Sequence, residues 1–217
     1  MAIDIADLFQ VRSLPPFTLG RQMRPREWDL NGVMKGMERS LSDSLSYHTE
    51  LRMDLTETPL NVKVDVTGIR DAVMKLVANA ADAMPEGGVL SVSTKQAGFD
   101  YGISQSTVTD ILGKWAVICI QDNGAGMDEK TRERIFEPFF TTKGGVNRGL
   151  GLPIAYHIIK EHHGSINVES MFGKGTTVDV YLPLNEKHLK EIEPMPLPAS
   201  FTSTAGGNGN VHRRRAI

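Results

Sequence analysis

The sequence predicts an α/β fold, a two-layer sandwich in which a mixed β-sheet carries its helices on one face. Three observations lead there. Segments with apolar residues at helical spacing recur at 30–45, 67–84 and 152–163, and between them lie short segments that alternate apolar and polar residues. Their order is helix, strand pair, helix, strand pair, helix, strand pair. A chain of 217 residues with 40% hydrophobic content is also long enough to bury a core of its own.

Residues 1–28 mix apolar residues with Pro15, Pro16 and Pro25 and form an irregular lead-in. Asp29 can cap a helix in which Leu30, Val33, Met34, Met37, Leu41 and Leu45 recur on one side. Leu51, Met53 and Leu55, then Val62, Val64 and Val66, alternate as half-buried strands joined by a turn around Thr58-Pro59. Thr67 then caps a helix that runs to about Met84 and is stopped by Pro85-Glu-Gly-Gly88. Strands follow at 89–95 and 115–121 across a polar connection. After a glycine-rich region come a helix over 152–163, a stop at Gly164, and strands at 165–170 and 176–182. Leu182-Pro183 closes the domain, placed at 29–184. Residues 185–217, with Pro194, Pro196, Pro198, a Ser/Thr/Gly/Asn stretch and Arg213-Arg-Arg215, offer nothing to bury, and a disordered tail or linker is expected.

Bulk properties exclude several classes. A net charge of −2 gives no general attraction to nucleic acid or to an anionic membrane. The one cysteine, Cys119, lies in the apolar run Val117–Ile120, so neither an intrachain disulfide nor a cysteine-based metal site is available. No apolar stretch approaches the ~18 residues needed to span a bilayer. The opening Met1-Ala-Ile-Asp-Ile lacks a basic region, so a secretory signal is not expected and the compartment is taken as the cytoplasm.

The chemistry concentrates in two places. On the helix over 67–84, Ile69, Val73, Leu76, Val77, Ala80 and Met84 form the apolar side, while Asp71, Lys75, Asn79 and Asp82 share a separate stripe. That stripe reads either as a solvated face, with Asp71 and Lys75 as an i,i+4 pair, or as a ligand surface. Asparagine is a poor mid-helix residue, and its amide oxygen is a hard neutral ligand suited to Mg²⁺ beside phosphate oxygens. Further on, Asp122-Asn-Gly-Ala-Gly-Met127 ends an apolar run, Phe136-Glu-Pro-Phe-Phe-Thr-Thr-Lys143 follows, and Gly149-Leu-Gly-Leu152 opens a helix. Glycines permit φ > 0 and close backbone approach, and a helix start offers unpaired N–H groups to phosphate. The three phenylalanines, Phe136, Phe139 and Phe140, read either as core or as an exposed docking surface.

Together these segments resemble the superfamily that unites histidine kinases, gyrase, heat-shock chaperones and mismatch-repair ATPases. Leu76-Val-Ala-Asn-Ala-Ala-Asp-Ala-Met84 is similar to its N-box, Asp122–Met127 to the first glycine box, Phe136–Lys143 to the F-box, Gly149–Leu152 to the second glycine box, and Gly173-Lys-Gly-Thr-Thr177 to the last glycine motif. The resemblance covers roughly residues 22–184, and its Glu-Pro-Phe-Phe-Thr-Thr-Lys form points to sensor histidine kinases. It implies an ATP-binding catalytic domain that uses ATP and Mg²⁺ as cofactors and donates the γ-phosphoryl group to a histidine on a separate or missing dimerisation domain, with a response regulator as further partner. It implies that Asn79 ligates Mg²⁺ and that Asp122 accepts the adenine amino group. Gly124 and Gly126 would pass against the base, and Thr176 would complete the adenine end. Residues 128–148 would form a lid, with Lys143 and Arg148 near the phosphates. Gly149, Leu150, Gly151 and Leu152 would cradle phosphate oxygens, and Asp82 joins the ATP-binding set.

Two departures matter. None of His48, His157, His162, His163, His188 and His212 stands in an acceptor-like context, and only Leu14–Arg24 looks like the end of an acceptor hairpin. The histidines of the 152–163 helix are expected at the surface or partly packed. Lys75 stands where kinases carry Asn and hydrolytic relatives carry a Glu base, and a protonated lysine cannot activate water. A non-catalytic nucleotide-binding module therefore stands as the second reading and a self-sufficient gyrase-type ATPase as the third.

Overall fold

The computed structural model describes residues 23–98, 114–142 and 148–185, all within the unit Met1–Glu186. The readings made on Lys143, the 99–113 connection, most of the lead-in and the tail lie outside the described residues. In order, the chain forms β1 (Arg26–Asp29), α1 (Leu30–Lys35), α2 (Glu38–Asp43), β2 (Thr49–Leu55), β3 (Asn61–Val64) and α3 (Val66–Asp82). It continues with β4 (Gly88–Gly98), β5 (Lys114–Asp122), α4 (Glu129–Arg134), α5 (Gly151–Glu161), β6 (Ser165–Met171) and β7 (Gly175–Pro183).

Five strands make one sheet in the order β2-β4-β5-β7-β6. The β2–β4 pair is parallel and the rest are antiparallel, so the sheet is mixed as expected. Alternation places Leu90 and Val92, then Ala116, Ile118 and Ile120, then Val178, Val180 and Leu182 on one face, all buried. Against that face α3 lays Ile69, Ala72, Val73, Leu76, Val77 and Ala80, and α5 lays Ala155, Ile158 and Ile159 beside it. Each fully buried aliphatic side chain contributes roughly 1.5–3 kcal/mol. These two helices therefore hold the glycine-rich segments in place from beneath.

Several elements differ from expectation. The helix expected over 30–45 is broken at Gly36–Met37 into α1 and α2, although Asp29 does cap it, accepting from Asn31 N at 3.2 Å. Gly36 is a weak helix former, and Met37 and Leu41 still reach the core after the break. The lead-in proposed for 1–28 contains β1, which pairs antiparallel with β3 in a second, two-stranded sheet. The strands β2 and β3 thus enter different sheets. Asn31 shapes the turn between them, its amide donating to Thr56 O (3.0 Å) and Thr58 O (2.9 Å). The charged segment after the first glycine box holds a short helix, α4, capped by Asp128.

The cap of α3 is Asp65, not Thr67. Its carboxylate accepts from Thr67 N at 3.0 Å and Gly68 N at 3.4 Å, and its other oxygen accepts from Arg24 N at 3.1 Å. His162 decides the matter from 97 residues away: its ring is buried, with Nε2 accepting from Asp65 N at 3.0 Å and Nδ1 2.7 Å from Ile158 O. For both contacts to be hydrogen bonds, Nδ1 carries the proton, so the ring is a neutral tautomer that ties the start of α3 to the end of α5. The expectation of a surface or partly packed His162 is corrected accordingly. His48, His157 and His163 are exposed.

On the opposite face of the sheet Cys119 lies between Ser93 and Asp179 in register. Burial, and then the neighbouring Asp179, pushes its thiol up to about 11 from an ordinary 9.0. A raised folded value means the unfolded thiol ionises first, so this contribution to stability is intact below pH 9 and lost as pH rises towards 11. Iodoacetamide labelling of the native chain should be far slower than that of a free thiol at neutral pH and should accelerate between pH 9 and 11. Mass spectrometry of time points checks this.

Candidate functional site

The site begins where β5 ends. Asp122 is buried, because its position on β5 faces the helices. A buried carboxylate needs donors. Its Oδ1 accepts from Gly124 N at 2.9 Å, closing the turn after the strand, and from Thr176 N at 3.2 Å on the neighbouring β7. The first and last glycine motifs are thereby joined through one oxygen.

The glycines of the first turn are required by the chain itself. A Cβ on Gly124 would collide with the carbonyl of Ala83 and the side chain of Met84 at the end of α3. Gly126 has φ +63, and a Cβ there would strike Met171 O and approach Gly175 O. Backbone bonds use the same close approach: Ala125 N donates to Ala83 O at 3.0 Å, and Gly173 N donates to Ala125 O at 2.7 Å. The turn is thus clamped between the C-terminus of α3 and the β6–β7 hairpin. Asn123 clamps a third side, its Oδ1 accepting from Val89 N at 2.8 Å.

This clamp fixes the polar stripe of α3 relative to Asp122. Asn79 is half-buried one turn before the helix end, its carbonyl accepting from Ala83 N at 3.2 Å, and Asp82 is exposed in the last turn. One turn before Asn79, the Lys75 ammonium lies 3.2 Å from Asp71, with the lysine side chain the more buried of the two. The i,i+4 pair anticipated from sequence is therefore formed.

The second glycine segment lies at the start of α5, which packs beside α3. Gly149 adopts φ +64 and its carbonyl accepts from Phe139 N at 3.0 Å. Leu150 stands at the N-cap position without a side-chain cap, Gly151 is exposed with open space about it, and Leu152 is half-buried. Pro153 has no N–H, which suits a first helical turn. Arg148 is exposed at the edge of this segment.

The aromatic segment divides between both of its readings. Phe136 is core, its ring 5.0 Å from that of Tyr156. Phe140 is half-buried under Arg134, whose guanidinium lies 4.3 Å from the ring centroid. Phe139 is 67% exposed and, unusually for a phenylalanine, adopts φ +66.

The family model described as histidine kinase-, DNA gyrase B-, and HSP90-like ATPase matches residues 64–186. The chain is 34% identical over 174 residues to sensor kinase CckA of Brucella abortus, covering 80% of the chain and 18% of that protein. It is 31% identical to sporulation kinase B of Bacillus subtilis, covering 74% of the chain and 34% of that protein. The chain therefore spans between about a fifth and a third of these relatives' length. Among solved structures, a mycobacterial sensor histidine kinase, MprB, superposes with a TM-score of 0.56 at 26% identity, over 75% of this chain and 99% of that one.

Gly126→Ala is expected to destabilise the fold by roughly 1–3 kcal/mol, since it forces a side chain into a positive φ and against Met171 O. Gly173→Ala is the control. It also has a positive φ, +76, but nothing within 4 Å of its Cβ, so it should cost less. Urea unfolding of the two variants gives the difference.

Proposed function

We propose, because this chain belongs to the histidine kinase-, DNA gyrase B- and HSP90-like ATPase family, that it binds ATP with Mg²⁺ and serves as the phosphoryl-donating part of a sensor histidine kinase. The observation that carries the reading is the buried Asp122 carboxylate, bonded at once to Gly124 N and Thr176 N. An ionised carboxylate is acceptor-only, so it matches the 6-amino group of adenine and opposes the 6-oxo group of guanine, at a cost of ~1–3 kcal/mol for an unpaired buried group.

The remaining residues follow from their positions. The uncapped start of α5, with Gly149, Leu150, Gly151 and Leu152, would receive phosphate oxygens on its N–H groups, and Arg148 and Lys143 would add positive charge. Among the described residues no cluster of three or more His, Cys, Asp or Glu side chains could cage a metal. That suits Mg²⁺, which prefers one or two protein oxygens together with phosphate oxygens and water. Asn79 would be its ligand, with Asp82 at the end of the same stripe. When bound, such an ion would offset the negative charge of the phosphates. The chain's own part is to orient the triphosphate and exclude water, which is how phosphoryl transfer is largely accelerated.

The acceptor histidine, the dimerisation domain that bears it and the response regulator belong to this proposal, as does a cytoplasmic site of action. No described helix is long and apolar enough to cross a membrane. A lysine at 75 supplies no base to activate water, so steady hydrolysis by the chain alone is not expected. Transfer of labelled phosphate from ATP to a supplied histidine hairpin separates the kinase from a module that only binds nucleotide.

Asp122→Asn should weaken ATP binding tenfold or more, a loss of at least ~1.4 kcal/mol. Unchanged affinity by calorimetry would remove Asp122 from the adenine role. The Lys75–Asp71 ion pair favours a surface role for Lys75. Lys75→Asn is then expected to leave ATP affinity within about twofold with or without Mg²⁺, since such pairs are worth only ~0.2–0.5 kcal/mol. A selective drop in metal-free affinity would instead assign the ammonium to the phosphates.

A further inference from the structure

We infer that Ser170 is a positioning residue that fixes the hydroxyl of Thr176 as a hydrogen-bond acceptor and so contributes to the choice of nucleobase. The inference rests on the nucleotide reading above. Ser170 lies on β6 directly across from Thr176 on β7. Its Oγ is 2.9 Å from Met127 N, 3.1 Å from Gly175 O and 2.9 Å from Thr176 Oγ1.

The proton count decides the directions. A hydroxyl has one proton to give and two lone pairs to receive. Met127 N–H can only donate, so it occupies one lone pair of Ser170. Gly175 O can only accept, so it takes the one proton of Ser170. The contact with Thr176 is then a bond only if Thr176 gives its own proton. All three contacts are satisfied together in this arrangement and in no other.

Two consequences follow. Ser170 joins the end of the first glycine box, at Met127, to the last glycine motif, at Gly175 and Thr176. The Thr176 hydroxyl, its proton committed to Ser170, offers only lone pairs to a ligand. Its backbone N–H is already given to Asp122 Oδ1. Asp122 and Thr176 thus present acceptors on the same side, so a 6-amino donor is favoured there over a 6-oxo acceptor.

Without Ser170 the Thr176 proton is released and can be donated to a ligand. The test compares ATP with inosine triphosphate, which has a 6-oxo group and an N1 proton in place of the 6-amino group and bare N1. Calorimetry is done on the native chain, Ser170→Ala and Ser170→Cys, the last keeping the side-chain volume with a weak acceptor. Ser170→Ala should weaken ATP by about three- to tenfold, because the Thr176 hydroxyl is no longer held as an acceptor. Inosine triphosphate should be weakened less, so that the preference for ATP narrows. In a Thr176→Val background the same substitution should no longer change the preference.

A purely structural serine would weaken both nucleotides equally and lower the melting temperature in proportion. An unchanged ratio in Ser170→Ala and Ser170→Cys, with native ATP binding intact, overturns this inference alone. A native chain that binds no ATP overturns the nucleotide reading, and this one with it.

Discussion

A carboxylate taken out of water must be given donors, and at Asp122 the donors come from two parts of the chain that are distant in sequence. Gly124 N is two residues away and Thr176 N is 54 away, yet both converge on one oxygen. Most of the candidate site is organised around that convergence. It sets the direction of the turn after β5, which meets the end of α3 at Ala83 and the β6–β7 hairpin at Met171 and Gly173. Move the carboxylate, and the first and last glycine motifs have no shared reference.

Much of this was legible in the residues. Helical spacing identified the buried side of α3, and strand alternation identified the core face of the sheet. The glycine motifs identified where chain approaches chain. What remained hidden depended on partners far along the sequence. Asp65 and Thr67 are both good capping residues, and partners far along the chain, the buried ring of His162 97 residues on and Arg24 N, hold the first. The strand at 51–55 could have paired with either neighbour. Its parallel register with β4 follows from the diversion of β3 into the small sheet with β1. Gly36 broke a helix whose apolar spacing continued without interruption, because spacing records which face is buried and not whether the backbone is continuous.

The site shows the same division. Asp122 meets Thr176 and α5 starts at the second glycine segment, but the clash that demands glycine at 124 and 126 is with the protein's own carbonyls. No pattern of residue types could reveal Ser170, a small polar residue in a strand, whose significance lies in a cross-strand neighbour and a turn 43 residues earlier. The phenylalanine segment illustrates the limit of composition alone. Three identical residue types within five positions became a core residue, a partner for Arg134 and an exposed ring.

The union of Asp122 with Thr176 across β5 and β7 also bears on how the molecule reaches its native state. A contact between residues so far apart is formed only after a large loop has been closed, an entropic cost that slows folding of sheets built from distant pairings. The Asp122–Thr176 bond therefore depends on that closure, and no fragment lacking β7 contains it. A ligand that recognises this bonded pair has nothing to hold in the unfolded chain. It would act as a thermodynamic ratchet on the completed sheet, raising its resistance to unfolding in step with the logarithm of ligand concentration without guiding the steps that precede it.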